Sequence, residues 1–308
     1  MTASTKFIDT APPAVVCLGV FDGVHRGHRA LIDRARKIAD GLNIGVTVMT
    51  FDPHPMAVLR PGSAPKMLAD ISERKELLLA AGADDVYVLD FTAAVSQLTP
   101  REFVERVVVN QLNAQGVVVG KNFWFGHEAS GDVQALTALG AQYGFEVHSL
   151  DIQGDGSTNW SSTNVRRLIA AGEVAQAAAI LDRDYRLSGL VVHGDERGRE
   201  LGFPTANIQV AANRAVPADG VYAGHATTAG LGRLPAAVSI GTNPQFNGQE
   251  PRVEAYVLDR GDLDLYGQNL AIDFVARVRG QAVFSGLDEL VAAMTNDVAM
   301  TRKLLAHQ

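Results

Sequence analysis

The sequence contains one cysteine in 308 residues, so the chain cannot form an intramolecular disulfide. No apolar run approaches the roughly 20 residues that a membrane-spanning helix needs, and the N-terminus lacks the basic-then-apolar order of a secretory signal. Positive charge is not in excess: the formal net charge is -7, which argues against a protein that binds duplex nucleic acid through a basic face. These deficits predict a cytoplasmic protein that has neither nucleic acid nor a membrane as a partner.

Apolar residues, in contrast, make up 47% of the chain, which is enough for a sizeable core, and the length predicts two domains. In the first half, short β-branched runs alternate with helical patterns, which is typical of βαβ units around a parallel sheet. One helix is expected to begin with Thr99 as N-cap, Pro100 in the first turn and Glu102 as capping-box partner. The candidate strands are residues 14–20, 45–51, 84–90, 116–119 and 145–150. We therefore expect a doubly wound, Rossmann-like α/β domain over residues 1–184, with ligands bound at the carboxyl ends of its strands.

The second half has a different sequence pattern, in which short strand-like runs are separated by Gly, Pro, Asn and Asp. The candidate strands are residues 187–193, 220–227, 236–240, 252–258 and 270–278. This pattern predicts a small antiparallel β-barrel or sandwich within a second domain, residues 185–308. Ser285 is expected to cap a C-terminal helix whose apolar stripe packs against the strands. The stripe consists of Leu287, Leu290, Val291, Met294, Val298 and Leu305.

The segment GVFDGVHRGH, residues 19–28, follows the first candidate strand. Gly19, Gly23 and Gly27 permit a tight turn and a close approach of a ligand to the backbone, and the helix that follows presents unpaired N–H groups. A phosphate fits such a position, and His25 and His28 could stabilise charge that builds on an α-phosphate during attack. A zinc site and a purely structural glycine turn are the alternatives for this segment.

His25, Arg26, Gly27 and His28 form the H-x-G-H signature of the nucleotidyltransferase superfamily. The extended segment, together with TFDPHP (50–55), VGKNFWFG (119–126) and SSTNVRRLI (161–169), resembles the bacterial bifunctional riboflavin kinase/FMN adenylyltransferases. The resemblance implies that the first domain transfers AMP from ATP to FMN, which yields FAD and pyrophosphate.

The same resemblance assigns roles to residues of the first domain. It implies catalytic roles for His25, His28 and Arg166. Nucleotide-binding roles are implied for Gly19, Phe21, Asp22, Gly23, Ser161, Ser162 and Thr163, and flavin-binding roles for His54, Asn122, Phe123 and Phe125. The residues themselves also allow purely structural roles. Residues 161–166 could be an ordinary helix cap beside a solvated arginine, His54 a loop residue, and both phenylalanines part of the core.

The segment GDERGRELGFPTANI, residues 194–208, carries the sequence PTAN, which in the family marks the riboflavin kinase module. The resemblance implies that Thr205 and Asn207 hold Mg²⁺ with the ATP phosphates, a donor set that suits this hard cation. The resemblance implies that Glu254 is the base that accepts the proton of the riboflavin 5'-hydroxyl, whereas in isolation its position favours an outward residue of an alternating strand. The nucleotide is further assigned to Gly194, Gly198 and Arg199, and the flavin to Arg279.

The chain departs from the family pattern at Trp124, at Trp160 and in the linker LDRDY, residues 181–185. The expected ligands are ATP, riboflavin, FMN and FAD, with Mg²⁺ in both reactions, and weak or transient self-association is compatible with the sequence. Two other hypotheses remain open: a monofunctional adenylyltransferase whose barrel only binds flavin, and a flavin carrier without catalysis.

Overall fold

The computed structural model describes residues 11–151, 154, 159–194, 202–242 and 251–306. The described residues form two compact units. The first contains those within Met1–Pro65 and Asp70–Trp160, and the second those within Lys66–Ala69 and Ser161–Gln308. The division of the chain into functional domains at residues 1–184 and 185–308 remains a prediction.

The first unit is built on a parallel sheet. Its strands are β1 (Ala14–Leu18), β2 (Gly45–Phe51), β3 (Asp85–Leu89), β4 (Ala114–Gly120) and β5 (Glu146–Leu150). Their order in the sheet is β3-β2-β1-β4-β5. The central strand β1 is buried along its whole length, as expected for a parallel strand covered on both faces. The predicted doubly wound α/β fold is confirmed.

Helices accompany this sheet along the chain. They are α1 (Arg26–Leu42), α2 (Pro55–Leu59), α3 (Ile71–Ala80), α4 (Ala93–Ser96), α5 (Pro100–Phe103) and α6 (Val133–Tyr143), and Val104–Gln111 continues α5 as a π-helix. The predicted capping box is confirmed: Glu102 N donates to Thr99 Oγ1 at 3.3 Å, and Thr99 N donates to Glu102 Oε2 at 3.0 Å. Two hydrophobic clusters form the core, one containing Val16 and Phe103 and the other Val15 and Ile32.

The second unit contains a closed antiparallel barrel. Its strands are β6 (Tyr185–Val192), β7 (Ala206–Gln209), β8 (Gly220–Thr228), β9 (Gly232–Thr242), β10 (Pro251–Val257) and β11 (Asn269–Gly280). Their order around the barrel is β10-β7-β6-β11-β8-β9. The barrel is confirmed, but the sequence pattern missed β7, because this four-residue strand includes Asn207 and Gln209 and has no apolar run. The helices α7 (Ser162–Ala171), α8 (Val174–Leu181) and α9 (Leu287–Leu305) belong to this unit.

The C-terminal helix α9 packs against β8, β9 and β11, as predicted, but it begins differently. Its N-cap is Gly286, so the prediction of Ser285 as the cap is wrong. The reason is that Glu289 reaches back, and its Oε2 accepts from both the hydroxyl of Ser285, at 2.6 Å, and the N–H of Ser285, at 2.8 Å. Within the predicted stripe, Leu287 is exposed, because it lies in the first turn.

Candidate active sites

The loop between β1 and α1 has an unusual backbone. Phe21, Gly23 and Val24 have positive φ angles of 53°, 80° and 42°, and both non-glycine residues are buried in the core. A left-handed φ is costly for a β-branched residue, and such strain persists where the surrounding packing over-determines it, often at functional sites. At Gly19, an added Cβ would lie 3.1 Å from the Phe21 ring, so this position favours glycine.

His25 and His28 lie together at the end of this loop. His25 is the N-cap residue of α1 and is 2% exposed, and His28 is partly exposed in the first turn. Their rings stack with centroids 3.6 Å apart, and Phe21 lies 5.0 Å from the His28 ring. The imidazoles therefore sit beside the backbone N–H groups of a helix N-terminus, an arrangement that suits an anionic ligand. Asp22 is buried in the same loop.

His54 follows β2, the strand next to β1 in the sheet. It is the N-cap of α2, and its Nδ1 accepts from Met56 N at 3.1 Å, which orients the ring. The carboxyl ends of neighbouring parallel strands meet at one edge of a sheet, so His54 and the His25–His28 pair belong to the same edge.

The loop after β4 starts at this edge too, because β4 is the other neighbour of β1. Phe125 is 7% exposed and packs 5.7 Å from Phe103, and the partly buried Phe123 stacks 5.6 Å from Phe125. The structure therefore supports the core-packing alternative for Phe125, whereas Asn122 is exposed. Trp124 is 61% exposed, so it does not serve as a core residue.

The Ser-Ser-Thr segment begins α7 in the second unit. Ser161 is the N-cap, and its Oγ accepts from Asn164 N at 3.2 Å, so the helix-cap role is confirmed. Ser162 and Thr163 open the first turn, and Arg166 Nε donates to the carbonyl of Lys66 at 2.7 Å. Their assignment to nucleotide phosphates remains a prediction.

The PTAN segment enters β7, and its polar side chains meet those of β10. Asn207 is paired in register with Glu254, and Thr205 Oγ1 donates to Glu254 Oε2 at 3.4 Å. Residues two apart on a strand share a face, and opposite residues on paired strands are side-chain neighbours. Thr205, Asn207 and Glu254 therefore converge on the outer face of the barrel, while the alternate residues Val253 and Ala255 are buried.

Two details of this convergence were not evident from the sequence. Arg252 Nη1 lies 3.6 Å from Glu254 Oε1, a contact that the spacing of two residues along a strand could have suggested. At Gly194, an added Cβ would lie 2.2 Å from Asn207 Nδ2, so the glycine leaves room for the Asn207 amide. Gly198 and Arg199, which were assigned to the nucleotide, lie outside the described residues.

A cleft with both apolar and polar walls adjoins Thr205. Val191, Val257 and Leu265 supply apolar walls, and Tyr266 lies at the same cleft with its ring stacked 3.9 Å from that of His193. The cleft follows from the closure of the barrel and has no local sequence signature.

Arg279 has a different environment from the one expected. Its Nε and Nη2 donate to the two carboxylate oxygens of Asp297 at 2.9 and 2.8 Å, and its guanidinium lies 5.6 Å from the Phe284 ring. Asp297 is buried, so this bidentate pair ties β11 to α9. The geometry gives Arg279 a structural partner, and its assignment to the flavin remains a prediction.

Over the ranges that the structure describes, no group of three or more His, Cys, Asp or Glu side chains is arranged to hold a metal ion. Within the same ranges, no helix combines the length and the apolar character needed to cross a membrane.

Comparisons with known proteins identify two family regions in this order along the chain. The FAD synthetase family matches residues 8–164, and the riboflavin kinase family matches residues 181–305. The chain is 35% identical over 289 residues to the bifunctional riboflavin kinase/FMN adenylyltransferase of Escherichia coli K12, covering 94% of this chain and 92% of the relative. The corresponding protein of Listeria monocytogenes is 38% identical, with 95% and 92% covered.

A solved structure shares the whole architecture. A crystal structure described as a macrolide-efflux protein from Streptococcus pneumoniae superposes with a TM-score of 0.86, at 32% identity, covering 96% of each chain. That description belongs to the Streptococcus protein, while both family matches and the curated relatives agree with the PTAN and H-x-G-H segments. The chain therefore belongs to the family of bifunctional riboflavin kinase/FMN adenylyltransferases.

Proposed function

We infer that this chain is a bifunctional enzyme that phosphorylates riboflavin to FMN with ATP and then adenylylates FMN to FAD, releasing pyrophosphate. The observation that carries this inference is the presence of both family regions on one chain, with relatives that align over more than nine-tenths of it. ATP, riboflavin, FMN and FAD are then its substrates and products. A cytoplasmic location and weak or transient self-association remain predictions.

We assign adenylyl transfer to the carboxyl edge of the parallel sheet. A phosphate oxygen of FMN attacks the α-phosphorus of ATP, and pyrophosphate leaves. The His25–His28 pair and the first N–H groups of α1 are suited to hold oxygens on which negative charge increases. Loss of one such donor costs about 2 to 4 kcal/mol of barrier. The assignment of Arg166 to the same nucleotide follows from the family resemblance alone.

We assign the kinase reaction to Thr205, Asn207 and Glu254. The riboflavin 5'-hydroxyl attacks the γ-phosphorus, Glu254 accepts the hydroxyl proton, and ADP leaves. Thr205 Oγ1 and the carboxylate of Glu254 are 3.4 Å apart, with Asn207 opposite, so the donor set consists of the hard oxygens that Mg²⁺ prefers. Mg²⁺ bound by Thr205 and Asn207 would neutralise phosphate charge.

The alternative of a monofunctional adenylyltransferase is tested by chromatography of the products formed from riboflavin, ATP and Mg²⁺. We expect wild type to make FAD, His28→Ala to stop at FMN, and Asn207→Ala to make FAD only from added FMN. If wild type converts FMN to FAD but makes no FMN from riboflavin, the kinase assignment is wrong and the barrel is a binding module. If His28→Ala still forms FAD at the wild-type rate, the adenylyl-transfer site lies elsewhere.

A further inference from the structure

Arg74 is a buried cation that neither family motif includes. It belongs to α3 and is 2% exposed. Its Nη1 lies 2.9 Å from the carbonyl oxygen of Phe51, 3.1 Å from Thr50 Oγ1 and 3.4 Å from the carbonyl oxygen of Val20. Removing a guanidinium from water is costly, so a buried arginine needs such partners.

The acceptors of Arg74 lie where the two loops of the adenylyl-transfer site begin. Val20 follows β1 and leads to the His25–His28 pair, and Phe51 ends β2 and leads to His54. Thr50 completes the bridge, because its own hydroxyl donates to the carbonyl oxygen of Val20 at 2.7 Å. One guanidinium and one hydroxyl therefore join the ends of β1 and β2.

We propose that Arg74 is a positioning residue for adenylyl transfer, which holds both loops in register. The proposal rests on the assignment of this reaction to the carboxyl edge of the sheet. The loop after β1 has left-handed φ angles at Phe21 and Val24, so it needs external contacts to keep its shape. A displacement of about 1 Å in a catalytic group can reduce the rate about 100-fold.

Arg36 offers a matched control at the opposite edge of the same sheet. Its Nη2 donates to the carbonyl of Gly82 at 2.8 Å and to Asp84 Oδ2 at 2.6 Å, just before β3 begins. Arg36 thus joins α1 to the amino edge of the sheet through a backbone carbonyl and a carboxylate. Its loss should affect stability without affecting the loops at the carboxyl edge.

The test uses the full chain and measures kcat and KM for both reactions, together with the melting temperature. We expect Arg74→Met to reduce kcat for FMN adenylylation about 100-fold, with KM for FMN within about twofold of wild type. Arg74→Lys, which keeps the charge but not the planar fork, should retain part of the rate. Thr50→Val removes the hydrogen bonds of this hydroxyl to Val20 and from Arg74, and it should reduce the same kcat about fivefold. Riboflavin phosphorylation by the same molecules should stay at the wild-type rate, because that reaction is assigned to the barrel of the second unit, and the melting temperature reports whether the first unit is folded.

Arg36→Met should lower the melting temperature and leave both values of kcat unchanged. The proposal is overturned if Arg74→Met and Arg36→Met lower the melting temperature alike and neither alters adenylylation, or if Arg74→Met alters only KM. If Arg74→Met also loses kinase activity through misfolding, Thr50→Val decides, and an unchanged adenylylation kcat in that variant overturns the proposal. Wild-type adenylylation by His28→Ala would instead show that the site assignment, and not the role of Arg74, is wrong.

Discussion

The two candidate sites position their polar groups by different structural means. At the sheet edge of the first unit, a strained loop and the N-terminus of α1 present backbone N–H groups beside two stacked imidazoles. In the barrel, three side chains from adjacent antiparallel strands converge, and the strand register sets their spacing. The first arrangement depends on the shape of a loop, whereas the second depends on the alternation of residues along strands.

The largest expected effect comes from removing the carboxylate of the barrel site. Glu254→Gln keeps the shape of the side chain but cannot accept a proton, so we expect kcat for riboflavin phosphorylation to fall about 1,000-fold. Adenylylation of added FMN should not change. Asp262→Asn is the control, because Asp262 is an exposed carboxylate paired with Arg260. A Glu254→Gln variant with near-normal kinase kcat would show that Glu254 is not the base.

Gly194→Ala tests whether the barrel site depends on tight packing around a single side chain. The new methyl group would lie 2.2 Å from Asn207 Nδ2, so the amide must leave its present position. We expect kinase activity to fall about 100-fold, with adenylylation unchanged. The control is Gly286→Ala, where an added Cβ meets nothing within 4 Å. Equal kinase activity in both variants would show that Asn207 does not take part in the kinase reaction.

The ion pair between Arg279 and Asp297 separates a structural role from a flavin-binding role. Asp297→Asn leaves a largely buried guanidinium without its carboxylate, so we expect the free energy of unfolding of the barrel to fall by about 2 kcal/mol. Chemical denaturation measures this change, and KM for riboflavin should stay the same. A large increase in that KM with normal stability would instead support Arg279 as a flavin contact.

The smallest expected effect concerns pH. Burial is the main cause that lowers the pKa of His225 below its ordinary value of 6.5; Arg233 lowers it further, while Asp184 and Asp273 oppose the shift. The unfolded chain therefore binds a proton more readily at this residue, so the stability of the barrel should decrease as pH falls below about 6.5. Burial raises the pKa of Asp184 above its ordinary value of 3.8, so the folded state binds a proton more readily at this residue. The contribution of Asp184 to stability should therefore increase as pH falls, in a more acidic range than that of His225.

Melting temperatures measured between about pH 5 and 7 check this prediction, since histidine titrates in that interval. In His225→Gln, the melting temperature should depend less on pH in this interval. An unchanged pH dependence in this variant would assign the acid sensitivity to other groups.

Local patterns predicted the elements with strong periodicity or strong end signals. The Thr99 capping box was predicted because Pro100 and Glu102 leave few alternatives, and β2 was predicted with its observed bounds because four of its 7 residues are β-branched. The pattern failed at β7, where polar residues form a strand only because β6 and β10 flank it. Ser285 was expected to cap α9, but the cap position depends on where Glu289 reaches.

The sequence alone proposed the candidate residues of both sites, since H-x-G-H and PTAN contain the histidines, the threonine and the asparagine that we assign to them. Only the tertiary structure decided which residues support them. Arg74 lies 46 residues after His28, and no local pattern indicates that its guanidinium reaches Val20 and Phe51. The fold likewise decided that Phe125 packs against Phe103 and that Arg279 pairs with Asp297, while the assignment of both residues to the flavin remains a prediction. Local propensity and motif spacing act over a few residues, whereas burial and charge pairing depend on segments that only the folded chain brings together.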